Sequence, residues 1–239
     1  MTALRPTLIF VHGAWHGPWA WDRLRTELGD FTTTGVSLPS SGPDPSALGS
    51  FSDDVAAVRA AVSAVNGPAV VIAHSYGGVP ATEAACGLEN VAGVIYVAAF
   101  VLDVGQPAAA VAAGGGVPEW WDVHPDEGYV DARRAEEIFY GDLPAPSATE
   151  YAARLTHQSL ASGAQPLTDA AWKYVPTSYV VCDLDASLPP AAQDEMAQRT
   201  GRVHHLAAGH SPFLSRPAEL AELIRADVAD FADSPIVNS

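Results

Sequence analysis

Short apolar runs alternate with amphipathic helical patterns along most of this chain of 239 residues. The runs at 69–73 and 91–100 are apolar at nearly every position, which is typical of strands buried on both faces of a sheet. Strands that alternate with helices are characteristic of parallel sheets joined by crossover helices. The sequence therefore predicts an α/β fold with a doubly wound, mostly parallel sheet of six strands. Its predicted strands are 7–11, 31–38, 69–73, 91–100, 178–182 and 203–207.

The alternation breaks between residues 102 and 176. This stretch mixes glycine and alanine runs with aromatic residues and two amphipathic pieces, at 132–140 and 149–160. It is predicted to be a helical cap inserted after the strand that ends near residue 100, with the core made of residues 1–101 and 177–239. Ligands bind at the carboxyl edge of open α/β sheets, so the cap is expected to lie over the functional site.

The charge of the chain excludes polyanionic partners. Its formal net charge is −16 and it contains one lysine, Lys173, whereas binding to nucleic acid or to an anionic membrane surface requires a basic face. Residues 102–150 carry ten acidic side chains against Arg133 and Arg134, which is half of the net charge. We therefore expect a negative potential near the cap that disfavours anionic ligands.

Other classes of protein are also disfavoured. The two cysteines, Cys86 and Cys182, lie in apolar contexts that predict buried thiols rather than a disulfide. No apolar run has the length of a signal-peptide core or of a membrane span, so we expect a cytoplasmic location and no membrane association. The sequence contains no dinucleotide-binding fingerprint, phosphate loop or metal-ligand spacing. We expect no cofactor, no metal, and a monomer or homodimer.

The sharpest local motif is Ala-His-Ser-Tyr-Gly-Gly at 73–78, where an apolar strand meets a helix. A serine between small residues at this position fits a tight, strained turn that raises its hydroxyl above the sheet, which is the nucleophile elbow. Ala73 departs from the motif, which has glycine there, but adds only one methyl group. Ser75 is therefore the candidate nucleophile.

A serine nucleophile needs a base, and the base needs an acid that orients it. In this type of fold both follow the serine in the chain, at the ends of late strands. His210 follows the last predicted strand, and Asp185 follows the one before it. Asp183, nearer to the strand end, and Asp103, after an earlier strand, are alternative acids.

The segment 12–19, His-Gly-Ala-Trp-His-Gly-Pro-Trp, follows the first strand and contains a glycine turn. Ester hydrolysis passes through an oxyanion, which backbone N–H groups stabilise. The N–H groups of Ala14 and Tyr76 are the expected donors. His12 and His16 are expected to pack in this aromatic turn.

With these residues in place, the chain resembles the α/β-hydrolase superfamily. More narrowly, it resembles the branch that holds plant methyl esterases, hydroxynitrile lyases and small bacterial esterases. The resemblance covers nearly the whole chain and places the acid three residues after Cys182, which implies Asp185 rather than Asp183. It also implies a six-stranded, mostly parallel sheet that lacks the early antiparallel strands of larger relatives.

The resemblance implies a carboxylic-ester hydrolase. Hydroxynitrile lyases carry a threonine at the position of Gly13 and a lysine at that of Ser211, and both markers are absent here. The predicted substrates are neutral, medium-sized hydrophobic esters, including aryl or salicylate-like esters. A hydroxynitrile lyase, another cofactor-free reaction on the same triad, and a triad-bearing binding protein are the alternatives. The predicted pocket residues are Trp15, Trp120, Trp121, Phe139 and Tyr140.

Overall fold

The protein, seen here in a computed structural model, is described over residues 5–112 and 117–233. Its central sheet has six strands, all paired in parallel, as the long apolar runs predict. These strands are β1 (Thr7–Val11), β2 (Thr33–Val36), β4 (Ala69–His74), β5 (Val91–Val97), β9 (Thr177–Cys182) and β10 (Arg202–Leu206). Their spatial order is β2-β1-β4-β5-β9-β10.

Helices flank this sheet. They are α1 (Asp22–Glu27), α2 (Phe51–Ser63), α3 (Gly78–Ala84), α4 (Ala108–Ala112), α5 (Ala135–Ile138), α6 (Ala145–Ala152), α7 (Ala161–Ala164), α8 (Pro190–Ala197), α9 (Pro212–Ser215) and α10 (Pro217–Asp233). Short 3₁₀ turns lie at Pro18–Trp21, Pro45–Ala47, Ser75–Gly77 and Ala171–Lys173. Helices α1, α9 and α10 contact one another, whereas α2 contacts α3 and α7.

Burial explains why the central strands form where they do. Every residue of β4 and of β9 is buried, and their Val, Ile and Ala side chains are protected from water on both faces. Burying one such aliphatic side chain contributes about 1.5–3 kcal/mol. The carboxyl ends of these strands therefore form a rigid edge from which the following loops project.

The second predicted strand is shorter than expected, four residues instead of 31–38. At its start, the Phe31 N–H donates to the Leu28 carbonyl in the turn that follows α1. At its end, the Leu38 N–H donates to the His12 ring. Because both donors are used outside the sheet, the ladder does not extend over the whole predicted stretch.

Residues 102–176 are not wholly helical, which corrects the prediction for this segment. A small antiparallel sheet is formed by β6 (Trp121–His124), β7 (Tyr129–Ala132) and β8 (His157–Ser159), with β3 (Ser41–Gly42) at its edge. The piece predicted at 132–140 contains only the short α5, and the piece at 149–160 divides between α6 and β8. The strands of this sheet have only two to four residues, too few to show a clear alternation in the sequence.

None of the described helices has the length and apolar character that a membrane crossing requires. Both cysteines are free thiols, with Cys182 buried and Cys86 partly buried.

The strand order reverses direction at β1. From β1 the chain goes to β2 on one side and then returns to β4 on the other side. In open α/β sheets, such a switch point leaves a crevice at the carboxyl ends of the two strands, where ligands bind. The segment from His12 follows β1 and Ser75 follows β4, so both predicted motifs meet at this crevice.

Gly93 tests how tightly α10 packs on the sheet. A Cβ atom at Gly93 in β5 would lie 2.3 Å from a ring carbon of Phe231, which is buried in α10. We expect Gly93→Ala to lower the free energy of unfolding by about 1–3 kcal/mol through overpacking. Urea denaturation measures this, and Phe231→Leu in the same chain is the compensating change. If the clash is real, the double variant should lose less unfolding free energy than the two single variants lose together. A loss in the double variant equal to that sum would contradict the proposed clash.

Candidate active site

Ser75 occupies a strained turn at the end of β4. Its φ angle of 50° lies in the left-handed region, which costs a non-glycine residue of the order of 1–3 kcal/mol. The turn also requires close approach of the backbone, because a Cβ atom at Gly77 would lie 2.4 Å from the His12 carbonyl oxygen. The geometry expected of a nucleophile elbow is therefore present at Ser75.

His210 and Asp185 form a buried pair at the ends of β10 and β9. Asp185 Oδ2 lies 2.7 Å from His210 Nδ1, and both side chains are almost completely buried. Asp185 also accepts hydrogen bonds from the N–H groups of Ser187 and Leu188, at 2.8 and 2.9 Å. Since the carboxylate is surrounded by donors, Nδ1 of His210 carries the proton and Nε2 is the basic nitrogen.

Gln193 is a member of this site that the sequence analysis did not select. Its Nε2 donates to Asp185 Oδ2 at 2.9 Å and to the Leu188 carbonyl at 2.7 Å, and its Oε1 accepts from the Cys182 N–H at 2.9 Å. The side chain is fully buried at the start of α8. It donates to the same carboxylate oxygen of Asp185 that contacts His210, and no local sequence pattern encodes this contact.

The loop that carries His210 is tied to the serine turn through His74. The Nε2 of His74 lies 2.8 Å from the His210 carbonyl oxygen, and the two rings are 4.5 Å apart. Among the described residues, no hydrogen bond joins the Ser75 hydroxyl to His210. Contacts between a nucleophile and its base are often loose until the reacting complex forms. The structure thus brings Ser75, Asp185 and His210, the residues predicted from the sequence, to one edge of the sheet.

The peptide group between Gly13 and Ala14 has a fixed orientation. His12 Nδ1 lies 2.8 Å from the Gly13 carbonyl oxygen, and its Nε2 accepts from the Leu38 N–H. His12 therefore donates to Gly13 from Nδ1 in its neutral form, and burial lowers its pKa to about 4. Because the described peptides are trans, the Ala14 N–H points away from the bond that His12 makes.

His16 fixes the next peptide group. Its Nδ1 lies 2.7 Å from the Ala14 carbonyl oxygen, and the Tyr140 hydroxyl lies 2.8 Å from its Nε2. Burial lowers the pKa of His16 to about 3, so this ring is neutral and donates from Nδ1. The N–H groups of Ala14 and Tyr76 have no acceptor within the described part of the chain. Both residues line the cavity described next, as expected of oxyanion donors.

A mostly apolar cavity of about 310 Å³ opens beside Ser75. Three of the five predicted pocket residues, Trp15, Trp120 and Trp121, line it. Phe139 and Tyr140 do not, which corrects their assignment. The Phe139 ring is buried behind the wall, stacked on Trp15 with ring centres 5.6 Å apart, and the Tyr140 hydroxyl contacts His16. The aromatic residues of the inserted segment suggested a cavity wall there, but the sequence does not distinguish aromatic side chains that line the cavity from those buried in the core.

The alternative acids have other partners. Asp183 contacts the exposed His205 at 2.8 Å, and Asp103 forms an ion pair with Lys173 at 2.6 Å. Within the described ranges, no group of three or more His, Cys, Asp or Glu side chains is placed to hold a metal ion. Asp185 is thus the carboxylate that the structure places on His210.

The family model for the alpha/beta hydrolase family matches residues 8–223 of this chain. The chain belongs to the alpha/beta hydrolase family. The match runs from β1 into α10 and spans every element of the site described above. The predicted superfamily and fold class are therefore confirmed.

Relatives of this alpha/beta hydrolase include further hydrolases and esterases. A probable hydrolase from Phoma sp. is 32% identical over 212 residues, which cover 81% of this chain and 85% of the relative. Methylesterase 17 from Arabidopsis thaliana is 23% identical over 256 residues, covering 92% and 90% of the two chains. The similarity to plant methylesterases agrees with the branch predicted from the sequence.

The crystal structure of a pyrethroid hydrolase from Sphingobium faniae superposes on this hydrolase with a TM-score of 0.80. The two are 24% identical, and the match covers 96% of this chain and 98% of the other. At this identity the match shows the shared fold.

The buried histidines predict a dependence of stability on pH. Burial lowers the pKa of His12 to about 4 and of His16 to about 3, and it lowers the pKa of His74 well below its usual value. Below about pH 6.5 the unfolded chain binds protons at these groups that the folded chain does not bind. The free energy of unfolding should therefore fall as pH falls from 6.5 to 5. For each such histidine the slope should rise from about 0.7 kcal/mol per pH unit at pH 6.5 to about 1.4 near pH 5.

Urea denaturation at pH 7, 6 and 5 measures this slope. His16→Gln keeps a donor and an acceptor at this position but cannot titrate. Its slope of unfolding free energy against pH should be smaller than that of the wild type by the contribution of one histidine. The explanation fails if the wild-type stability is constant over this range or if the two slopes are equal.

Proposed function

We propose that this protein is a serine carboxylic-ester hydrolase that acts on neutral, medium-sized hydrophobic esters through an acyl-enzyme. The observation that carries the proposal is the buried Asp185–His210 pair, located at the same sheet edge as the strained turn of Ser75. The apolar cavity beside Ser75 supports a hydrophobic substrate. The esterases among the relatives support the bond type.

In the proposed mechanism, Ser75 Oγ attacks the ester carbonyl carbon while His210 Nε2 accepts the hydroxyl proton. The carbonyl oxygen becomes an oxyanion that accepts hydrogen bonds from the Ala14 and Tyr76 N–H groups. Asp185 stabilises the imidazolium and keeps its orientation. The C–O bond to the alcohol then breaks, and the alcohol leaves with the proton from His210.

The second half repeats these steps with water. His210 accepts a proton from a water molecule as its oxygen attacks the acyl carbon, and the same N–H groups bind the second oxyanion. The bond to Ser75 Oγ then breaks, and the proton on His210 returns to the serine. The products are the carboxylic acid and the regenerated enzyme.

The surroundings of Gly13 favour hydrolysis over the lyase alternative. A Cβ atom at this position would lie 2.8 Å from His74 Nδ1 and 2.9 Å from Ser75 Cβ. A threonine side chain, the marker of the lyases, therefore has no room here unless both His74 and Ser75 move. A cyanohydrin-cleavage assay on the wild-type protein tests the lyase alternative directly.

Ser75→Ala should reduce the hydrolysis of p-nitrophenyl esters by about 10⁴-fold or more, because the nucleophile is removed. A fluorophosphonate probe should add one label to the wild-type protein and none to Ser75→Ala, as read by intact-protein mass spectrometry. Ser187→Ala is the matched control, because it removes another serine that lines the same cavity. It should keep the label.

Hydrolysis by Ser75→Ala at the wild-type rate would exclude this mechanism. A circular dichroism spectrum unchanged from the wild type is needed to show that the variant is folded.

The charge of the substrate should affect turnover in two separable ways. The cavity is lined by uncharged side chains, so a carboxylate on the substrate would lose its hydration on binding. The acidic residues of 102–150 add a repulsion that salt screens. We expect an anionic ester to have a kcat/KM at least about tenfold below that of its neutral analogue at about 20 mM salt.

At about 500 mM salt, the difference in kcat/KM between the neutral and the anionic ester should become smaller but should not disappear. Salt screens the repulsion but does not remove the cost of desolvating the carboxylate. Equal turnover of the two esters at low salt would contradict both contributions.

A further inference from the structure

We propose that Gln158 is a positioning residue for both halves of the oxyanion site, a role that rests on the proposed function. Gln158 belongs to β8, in the segment inserted between β5 and β9, and is 4% exposed. Its side-chain amide makes hydrogen bonds that lead to the two chain segments carrying the Ala14 and Tyr76 N–H groups.

The first set of contacts holds the loop after β1. Gln158 Oε1 accepts a hydrogen bond from the Trp15 N–H at 3.3 Å and from the Ser41 hydroxyl at 2.5 Å. The Trp15 N–H belongs to the same planar peptide group as the Ala14 carbonyl, which His16 contacts on its other side. This peptide group is therefore held at both ends.

Trp15 needs this support because its φ angle of 64° lies in the left-handed region. His12 fixes the peptide group before Ala14, and Gln158 together with His16 fixes the one after it. The direction of the Ala14 N–H is set by these two peptide groups. Without Gln158, the second one loses its anchor on the N–H side.

The second set of contacts leads to Tyr76. Gln158 Nε2 donates to the Ser40 hydroxyl at 2.9 Å, and the Ser40 N–H donates to Asp54 Oδ1 at 2.9 Å. The Tyr76 hydroxyl donates to the other oxygen of Asp54 at 2.6 Å. Asp54 is completely buried, so it has no water to replace these partners.

Gln158 Nε2 also donates to the Ser162 hydroxyl at 2.8 Å, so both donors and the acceptor of the amide are used. Glutamate at this position would keep the acceptor toward Trp15 but lose both N–H donors, whereas methionine has a similar volume and makes neither bond well. Glutamine, glutamate and methionine at position 158 have similar volumes but different hydrogen-bonding groups. Comparing the three proteins therefore separates the effect of hydrogen bonding from that of packing.

Preorganised N–H donors act where charge develops, so a displaced oxyanion site lowers kcat more than it changes substrate binding. We expect Gln158→Met to lower kcat about 10- to 100-fold with KM changed less than about twofold. Gln158→Glu should recover part of this loss. The control is His157→Gln, at the neighbouring residue of β8, whose ring contacts Asp131 at 2.7 Å. It should keep kcat within about twofold, because successive strand side chains lie on opposite faces.

Inhibitor binding distinguishes positioning from general destabilisation. An aryl trifluoromethyl ketone forms a hemiketal with the serine that carries the oxyanion, while the matched methyl ketone stays planar. In Gln158→Met, the affinity for the trifluoromethyl ketone should fall by the same factor as kcat, and that for the methyl ketone should stay unchanged. The thermal midpoint of Gln158→Met should fall, because buried partners lose their hydrogen bonds, but it should stay well above the assay temperature, so that the loss of kcat does not reflect unfolding.

The failures of the two proposals differ. A wild-type protein that hydrolyses no ester and takes no serine label overturns the proposed function and this role with it. A wild-type protein that hydrolyses esters while Gln158→Met keeps the wild-type kcat overturns the role of Gln158 alone. So does a loss of kcat in Gln158→Met that leaves the affinity for the trifluoromethyl ketone intact.

Discussion

Three chain segments meet at the turn after β4 with no space between them, and the rest of the site depends on this contact. The turn at Ser75 lies against the loop after β1, since a Cβ atom at Gly77 would overlap the His12 carbonyl. It also lies against the loop after β5, since a Cβ atom at Gly78 would lie 2.3 Å from the Phe100 carbonyl oxygen. The Phe100 N–H donates to the Ser75 carbonyl at 3.0 Å. The left-handed backbone of Ser75 is therefore stabilised by backbone packing from both neighbouring strands.

The same close packing separates His210 from three neighbouring histidines by its hydrogen-bond partner. His12 and His16 use both ring nitrogens in hydrogen bonds, so neither can accept a proton without losing one. His74 donates from Nε2, and burial together with the nearby His210 lowers its pKa well below the usual value. His210 differs from these three because its ring contacts the carboxylate of Asp185, whereas the rings of the other three contact backbone carbonyl oxygens.

The residues that sequence reasoning selected are those with a local signal. Ser75 follows a buried strand and lies just before two glycines, and His210 and Asp185 follow the last two strands, so strand ends and chain order made them candidates. The family resemblance then favoured Asp185 over Asp183. Gln193, Gln158 and Asp54 have no such signal. The partners through which they act on the site, Asp185, Trp15 and Tyr76, lie 8, 143 and 22 residues away from them in the chain. Asp54 in particular is typical of a helix first turn, where a solvated carboxylate is the ordinary expectation. The small antiparallel sheet was missed for a similar reason, since its two- to four-residue strands are defined by pairing across the chain.

The inserted segment is joined to the loop after β1 too closely to behave as a separate cover. Trp15 donates from its ring to the Val130 carbonyl at 2.7 Å, and its own carbonyl accepts from the Thr156 N–H at 2.9 Å. A rigid lifting of β7 and β8 would break both bonds and the contact to Gln158, and would leave Trp15 in the left-handed region without support. It would also separate β8 from β3 in the core. Each of these changes leaves backbone N–H or C=O groups without a hydrogen-bond partner. The small sheet is therefore better regarded as a wall of the candidate active site that shares hydrogen bonds with the loop after β1.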